Sequence, residues 1–435
     1  MKKNEQYTVT CIDDTNMGYG IARIDSMVVF VPKALKGETV RIAITKVKKT
    51  YAYCRILDIV VPSKDRCQPV CQKARLCGGC QLQHLSYPAQ LTFKHRHLCA
   101  LFKDIPVYRP IGMEPGLYYR NKAQFPVQIK DNTVHMGFYR THSNDIVDID
   151  VCPIQDETIN RLFRTLKEQL TVELADGLRH ILIRHSIHTG QSQVVLIGSK
   201  RNRWEPLVDT CVKQFPSITS FVYNHNDRKD NVILGDTYEV LFGHDSITEM
   251  CRGYRFQLHF KSFFQVNPIQ MERLYQTAYE FARLTKDMTI VDMYAGTGTI
   301  GICASAYVKK VIGVEIVQEA VENARKNCAI NHVSNCDYAC RDATEFARQM
   351  KESKEKVDVV FVDPPRKGMT KQGIQDICIM QPAKIIYISC NPQTLARDLQ
   401  IYRANGYHCQ QIQPVDMFCQ TTGMECVSLL IRQNG

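Results

Sequence analysis

Three rhythms of apolar and polar residues succeed one another along the chain. Over residues 1–60, apolar stretches at 6–12, 28–32, 40–46 and 53–60 are separated by turn-forming clusters at Asn16 to Gly20 and at Lys36-Gly37. Short strands broken by such turns predict a small all-β barrel. Residues 91–102 then predict a helix carrying Lys94, His95, Arg96 and His97, and 118–260 mix strand and helix patterns into a central β-rich domain. From about residue 268 the rhythm becomes regular. A helix over 270–284 repeats apolar residues at Met271, Leu274, Tyr275, Ala278 and Phe281, the spacing of one buried face. Strands follow at 288–293, 310–315, 336–340, 357–363 and 384–389, with helical patterns between them. That alternation predicts an α/β fold, an open parallel sheet covered on both faces, with its ligand crevice at the carboxyl ends of the strands. The division expected is 1–60, 61–262 and 263–435.

Composition narrows the class. A chain of 435 residues has room for several cores, and no apolar run approaches the length of a membrane span. The opening Met1-Lys2-Lys3-Asn4-Glu5 lacks a secretory apolar segment, so a cytoplasmic location without a membrane is expected. Lys and Arg exceed Asp and Glu by 11, and residues 1–66 hold 12 basic against 7 acidic residues, which favours a polyanionic partner and places much of the excess on the barrel. Lys46, Lys48, Lys49, Tyr51, Tyr53 and Arg55 there interleave charge with stackable rings, as an oligonucleotide-binding surface does. Tyr118-Tyr119-Arg120-Asn121-Lys122 is a second such cluster. No protein partner is indicated.

The chemistry gathers at the strand ends of the last domain. Val291-Asp292-Met293-Tyr294-Ala295-Gly296-Thr297-Gly298-Thr299-Ile300-Gly301 satisfies G-x-G-x-x-G, whose glycines let a backbone approach either a pyrophosphate or the amino-acid part of S-adenosylmethionine. Glu315 closes the next strand, where a carboxylate can accept ribose hydroxyls. A dehydrogenase has no use for Asp363-Pro364-Pro365-Arg366-Lys367-Gly368, which suits a rigid wall beside a transferring methyl group. Amine methyltransferases with a similar motif carry an aromatic where Arg366 stands, so an exocyclic amine is disfavoured as the target. One strand on, Cys390 emerges between Ser389 and Asn391-Pro392, a turn-forming and polar setting that separates it from the thiols buried in apolar runs. Most of the 19 cysteines are scattered singly, unlike a disulfide framework. The exceptions are Cys71, Cys77 and Cys80, spaced C-x5-C-x2-C around Gly78-Gly79. Local spacing nominates Cys67 as a fourth ligand, and four such thiolates hold either zinc or an iron-sulfur cluster.

Asp363 to Gly368 together with Ser389-Cys390-Asn391-Pro392 resembles the RNA 5-methyluridine methyltransferases. Ser262-Phe263-Phe264-Gln265-Val266-Asn267, the glycine loop and Asp416-Met417-Phe418 leading to Glu425 extend the resemblance over essentially the whole chain. It implies a Rossmann-like class I S-adenosylmethionine-dependent methyltransferase domain behind an OB-like barrel of the TRAM type. It also implies Cys390 as the nucleophile that adds to uracil carbon 6, and Glu425 as the base that removes the carbon 5 proton. Gln265, Tyr294, Thr299, Glu315, Asp342 and Asp363 would line the cofactor site. Resemblance to the ribosomal-RNA branch nominates Cys152, with Cys71, Cys77 and Cys80, as ligands of a [4Fe-4S] cluster, and 23S ribosomal RNA as the substrate. The chain departs from the family pattern at Thr422-Gly423, where histidines often stand.

Overall fold

The structure, a computed structural model, describes residues 1–353 and 355–433. The amino-terminal barrel is a six-stranded sheet in the order Gln6–Thr10, Thr39–Val47, Tyr51–Val61, Met27–Pro32, Tyr19–Ile24, Asp13–Asp14. Its interior is small and aliphatic: Val9, Ala22, Val29, Val31, Val40, Ile42, Ile44 and Ala52. Tyr19–Ile24 is the strand that the sequence pattern hid. Its inward positions are Gly20 and Ala22, too small to register as an apolar run, and a turn was expected to reach Gly20. The barrel is fastened to the helix Tyr87–Leu101 by Arg96, which reaches Asp13 and Asp14, and by the His97 contact to Asp14 at 2.7 Å.

The central sheet has seven strands, ordered Tyr238–Gly243, Ile218–His225, Ser192–Gly198, Leu178–His185, Lys122–Lys130, Thr133–Tyr139, Ile146–Asp148. Helices Glu157–Gln169 and Glu205–Gln214 contribute Ile159, Leu162, Phe163, Leu207 and Val208 to the core on this sheet. Asp156 caps the first of them by accepting from the backbone N–H of Thr158 at 2.8 Å, which satisfies a donor that the helix itself cannot. A hairpin, Ser246–Cys251 with Tyr254–His259, follows. Cys251, Phe256 and Leu258 from it pack into the core that underlies the third sheet.

That third sheet runs Cys336–Cys340, Lys310–Glu315, Thr289–Met293, Val359–Val362, Lys384–Ser389, Glu425–Arg432, Tyr407–Val415. The first five strands are parallel and Glu425–Arg432 inserts antiparallel beside Lys384–Ser389. All five parallel strands fall where the apolar rhythm predicted them, to within two residues. The helix expected over 270–284 is Pro268–Ala282, started by the Asn267 side chain accepting from the Gln270 N–H at 3.2 Å. Strand order reverses between Thr289–Met293 and Val359–Val362, so a crevice opens at their carboxyl ends. The glycine loop and Asp363 sit at that switch point.

Candidate active site and its neighbours

A single cleft of about 3280 Å³ runs from the barrel to the carboxyl edge of the third sheet. Lys46, Tyr53 and Arg55 of the barrel line one end, and Glu315, Asp363, Cys390 and Glu425 line the other. Pockets for small ligands are several-fold smaller, on the order of 300–1,000 Å³. This cleft is dimensioned for a polymer.

Cys390 follows the end of Lys384–Ser389 and is half-buried. Helix Pro392–Ala404 begins directly after it, capped by Asn391, whose side chain accepts from the Gln393 N–H at 3.1 Å. The antiparallel register pairs Ser389 with Cys426, so one residue further Cys390 faces Glu425 across the sheet end. Asp363 leaves the strand on the other side. Burial, with help from the Glu425 and Asp363 carboxyls, pushes the Cys390 thiol up to about 11, and the Arg366 guanidinium opposes that rise. Burial likewise lifts the Asp363 carboxyl to about 7 and the Glu425 carboxyl well above the ordinary range. Glu425 is 3% exposed and its Oε2 has no hydrogen-bond partner. A buried carboxyl with an unused oxygen is costly unless something else completes it. The arrangement therefore favours the protonated forms of the Cys390 thiol and the Glu425 carboxyl.

The loop 363–368 is stapled to the helix behind Cys390. Asn391 donates to the Arg366 carbonyl at 3.0 Å, and Arg397 donates to the carbonyls of Lys367 and Met369, each at 3.0 Å. Asp398 accepts from the Met369 N–H and the Tyr387 hydroxyl at 2.8 and 2.7 Å. Cys390 and Asp363 are thus fixed relative to each other through backbone groups, a role for Arg397 that no sequence motif signalled.

At the glycine-loop end, Glu315 accepts from the N–H groups of Gly296 at 3.1 Å and of Ile316 and Val317 at 2.8 and 3.1 Å. Gly296 has φ +54, and space is open where a Cβ would stand. The Thr299 hydroxyl meets the Tyr275 hydroxyl at 3.1 Å. Gln265 and Tyr294 line the same cleft. Asp342 does not: it is exposed, and its carboxylate accepts from the Thr344 N–H at 2.9 Å at the start of helix Ala343–Ser353. Phe263 is 69% exposed beside Gln265 while its neighbour Phe264 is buried, a difference that the apolar pattern of the segment does not reveal.

The cysteine segment meets all three sheets. The Gly78 N–H donates to the Tyr139 carbonyl at 3.0 Å, Leu82 N–H to the Gln420 carbonyl at 3.0 Å, and the barrel's Lys33 ammonium to the Ala74 carbonyl. Cys71, Cys77, Cys80 and Cys152 lie close enough to repel one another's thiolates, and Lys33 lies near the first three. Cys67 stands apart, donating to the Gln83 carbonyl at 3.4 Å. Among the described residues no group of three or more His, Cys, Asp or Glu is placed to hold a single metal ion. Burial raises Cys80 to about 12 and Cys152 to about 11, so these sulfurs become thiolates only beside a cationic centre. Three partly buried cysteines near Lys33, with Cys152 buried behind them in the same electrostatic neighbourhood, have the donor chemistry for such a group.

A family model described as tRNA (Uracil-5-)-methyltransferase matches residues 86–433, and a TRAM domain matches residues 2–57. The chain belongs to the uracil-5-methyltransferase family. Relatives match the chain over nearly its whole length. An uncharacterized RNA methyltransferase of Clostridium tetani is 40% identical over 99% of this chain and 97% of that one. One from Clostridium acetobutylicum is 39% identical over 99% and 98%. Among solved structures, the tRNA (uracil-54, C5)-methyltransferase of Pyrococcus abyssi, in complex with S-adenosyl-L-homocysteine, superposes with a TM-score of 0.78 at 26% identity. It covers 97% of this chain and 99% of that one. The third sheet of this methyltransferase is accordingly the class I fold, and its amino-terminal barrel is a TRAM domain. No described helix is long and apolar enough to cross a membrane.

Proposed function

We propose that this chain methylates carbon 5 of a uridine in structured RNA, in the cytoplasm, with S-adenosylmethionine as donor. The observation that carries the reading is the meeting of Cys390, Glu425 and Asp363 at the ends of three adjacent strands, each with its proton affinity raised by burial. Carbon 5 of uracil is a poor nucleophile. Once the Cys390 thiol has given its proton to solvent, addition of the thiolate to carbon 6 makes carbon 5 enolate-like, and the ring then accepts a methyl group there. The bound donor supplies that methyl as an electrophile. Ionised Glu425 next takes the carbon 5 proton, the carbon 6 to sulfur bond breaks, and Cys390 is released as thiolate. Net products are 5-methyluridine, the demethylated donor and one proton. The raised proton affinity of Glu425 makes it a strong base once ionised. Glu315, Tyr294, Thr299 and Gln265 would hold the donor, and Asp363 would serve both donor and uracil. Asp342 would act from the edge of the site, by way of its helix start.

Because the uridine must leave its stack to reach Cys390, unpaired or remodelled RNA is the expected substrate. We put 23S ribosomal RNA first, on the sequence resemblance of the TRAM barrel and cysteine segment. Transfer RNA is the second reading, favoured by the near-complete overlap with the Pyrococcus abyssi enzyme. Cys71, Cys77, Cys80 and Cys152 would hold a [4Fe-4S] cluster, with zinc as the alternative, and the group would fix the segment. Incubation with methyl-labelled S-adenosylmethionine and unmodified ribosomal or transfer RNA, followed by nucleoside analysis, tests the reading. Label in 5-methyluridine from one RNA supports it and names the substrate. Label in a methylated amine, or none in any RNA, overturns it.

A further inference from the structure

The cleft is also lined by aromatic side chains that the chemistry above leaves unused. Tyr238 opens the edge strand Tyr238–Gly243 and is 42% exposed. Its ring packs edge-on against Phe260 at 5.0 Å and His259 at 5.4 Å between centroids. Lys261 sets its ammonium 5.9 Å from the same ring and donates to the Asp236 carbonyl at 2.9 Å. The Tyr238 hydroxyl donates to Asp245 at 3.0 Å. This is a built surface. Beneath it Phe260 is wholly buried, and Arg184, 2% exposed, donates to the carbonyls of His259 and Ser262 at 3.3 and 2.7 Å, so the segment is tied down from behind.

Tyr238, His259 and Lys261 line the same cleft as Cys390, and exposed Phe263 lies between them and Gln265 in sequence. We propose that Tyr238, His259 and Lys261 form a stacking platform for an unpaired nucleotide of the substrate RNA flanking the target uridine. The inference rests on the RNA reading above and extends it from the reacting base to its neighbours. The chemistry fits one occupant. A half-exposed ring offers a face to any base, and an adjacent ammonium meets the phosphate that joins this base to the next. The cleft is continuous with the catalytic rim and too large for a lone nucleotide. An extruded base leaves its neighbours unstacked, and a platform in the same cleft restores that stacking on protein.

The test is equilibrium binding of the full-length protein to a short single-stranded oligouridine RNA, followed by fluorescence anisotropy over a salt series. Stacking on one aromatic is worth on the order of 1–3 kcal/mol, so Tyr238→Ala should weaken binding about tenfold. Tyr238→Phe, which keeps the ring and loses only the bond to Asp245, should stay close to wild type. Lys261→Ala should reduce the salt slope by about 0.7, the value for one phosphate on a single strand. Unchanged affinity for S-adenosylmethionine in each variant shows that the fold is intact. A wild-type protein that methylates RNA while Tyr238→Ala and Lys261→Ala bind oligouridine with wild-type affinity and slope overturns the platform alone. A wild-type protein that forms no 5-methyluridine overturns the underlying reading instead.

Discussion

At the scale of single residues, burial sets the chemistry of this site. Asp292, 1% exposed behind the glycine loop, accepts from the Gly301 N–H at 2.9 Å through one oxygen, while the other has no partner. Burial lifts its carboxyl to about 7 from an ordinary 3.8. A carboxyl raised on folding binds its proton more tightly in the folded state, so its contribution to stability is full at low pH and is lost between about 4 and 7. Asp363 adds a loss of the same sign in the same window. Asp292→Asn retains an acceptor for Gly301 and removes the titration. Urea unfolding at pH 5 and pH 8 should show a smaller loss of stability in the variant than in the wild type. Equal losses would contradict the assignment. Cys390 and the Asp363 motif were legible in the sequence because each breaks an apolar strand with residues that no core requires. The isolation of Glu425's second oxygen was not legible, since it depends on which residues surround position 425 rather than on any neighbour in the chain.

Among the secondary-structure elements, a buried ion pair joins helix Tyr87–Leu101 to the loop that leads to Glu425. Lys94 and Asp416 meet at 2.6 Å with side chains 2% and 0% exposed, and Tyr87 donates to the other Asp416 oxygen at 3.0 Å. Lys94 also donates to the Phe418 carbonyl at 3.2 Å. The sequence put Lys94 in a run of four basic residues. The helical register separates them, turning Lys94 into the interior and Arg96 and His97 toward the barrel's Asp13 and Asp14. Removing one partner of such a pair leaves the other charge buried and costs about 3–5 kcal/mol. Lys94→Ala should therefore lower unfolding stability by that amount, against a much smaller effect for the surface variant Lys48→Ala. A loss below about 1 kcal/mol would mean that water replaces the ammonium. Strands of the third sheet were predicted well because aliphatic runs buried on both faces, such as Val359–Val362, leave an unambiguous signal. Tyr407–Val415 escaped notice because Gln, His and Pro interrupt its apolar positions.

For the whole molecule, the cysteine segment is where the three sheets meet, through Lys33, Tyr139 and Gln420. Leu35 of the barrel, Leu82 and Leu85 of the segment and Phe93 of the helix form a small shared core beside it. The proposed cluster would add to this core and to the Arg96 and His97 contacts with Asp13 and Asp14 in fixing the segment against the barrel. Chelation of iron from anaerobically purified protein, or Cys80→Ser, should lower the unfolding midpoint and open residues 62–85 to limited proteolysis. An unchanged cleavage pattern after complete iron loss would remove that structural role. Sequence spacing alone could not decide between Cys67 and Cys152, which lies 72 positions beyond Cys80. Folding gathers Cys152 with the other three, and leaves Cys67 bonded to Gln83.

In the proposed reaction Cys390 and Glu425 act at successive steps on one uridine. Glu425→Gln, incubated with substrate RNA and methyl-labelled S-adenosylmethionine and then run under denaturing conditions, tests it most directly. The expected result is a protein–RNA adduct that carries the label and persists because the carbon 5 proton is never removed, and no such adduct in Cys390→Ala or in the double variant. Methylation of carbon 5 by Cys390→Ala, or wild-type turnover without adduct in Glu425→Gln, would contradict it.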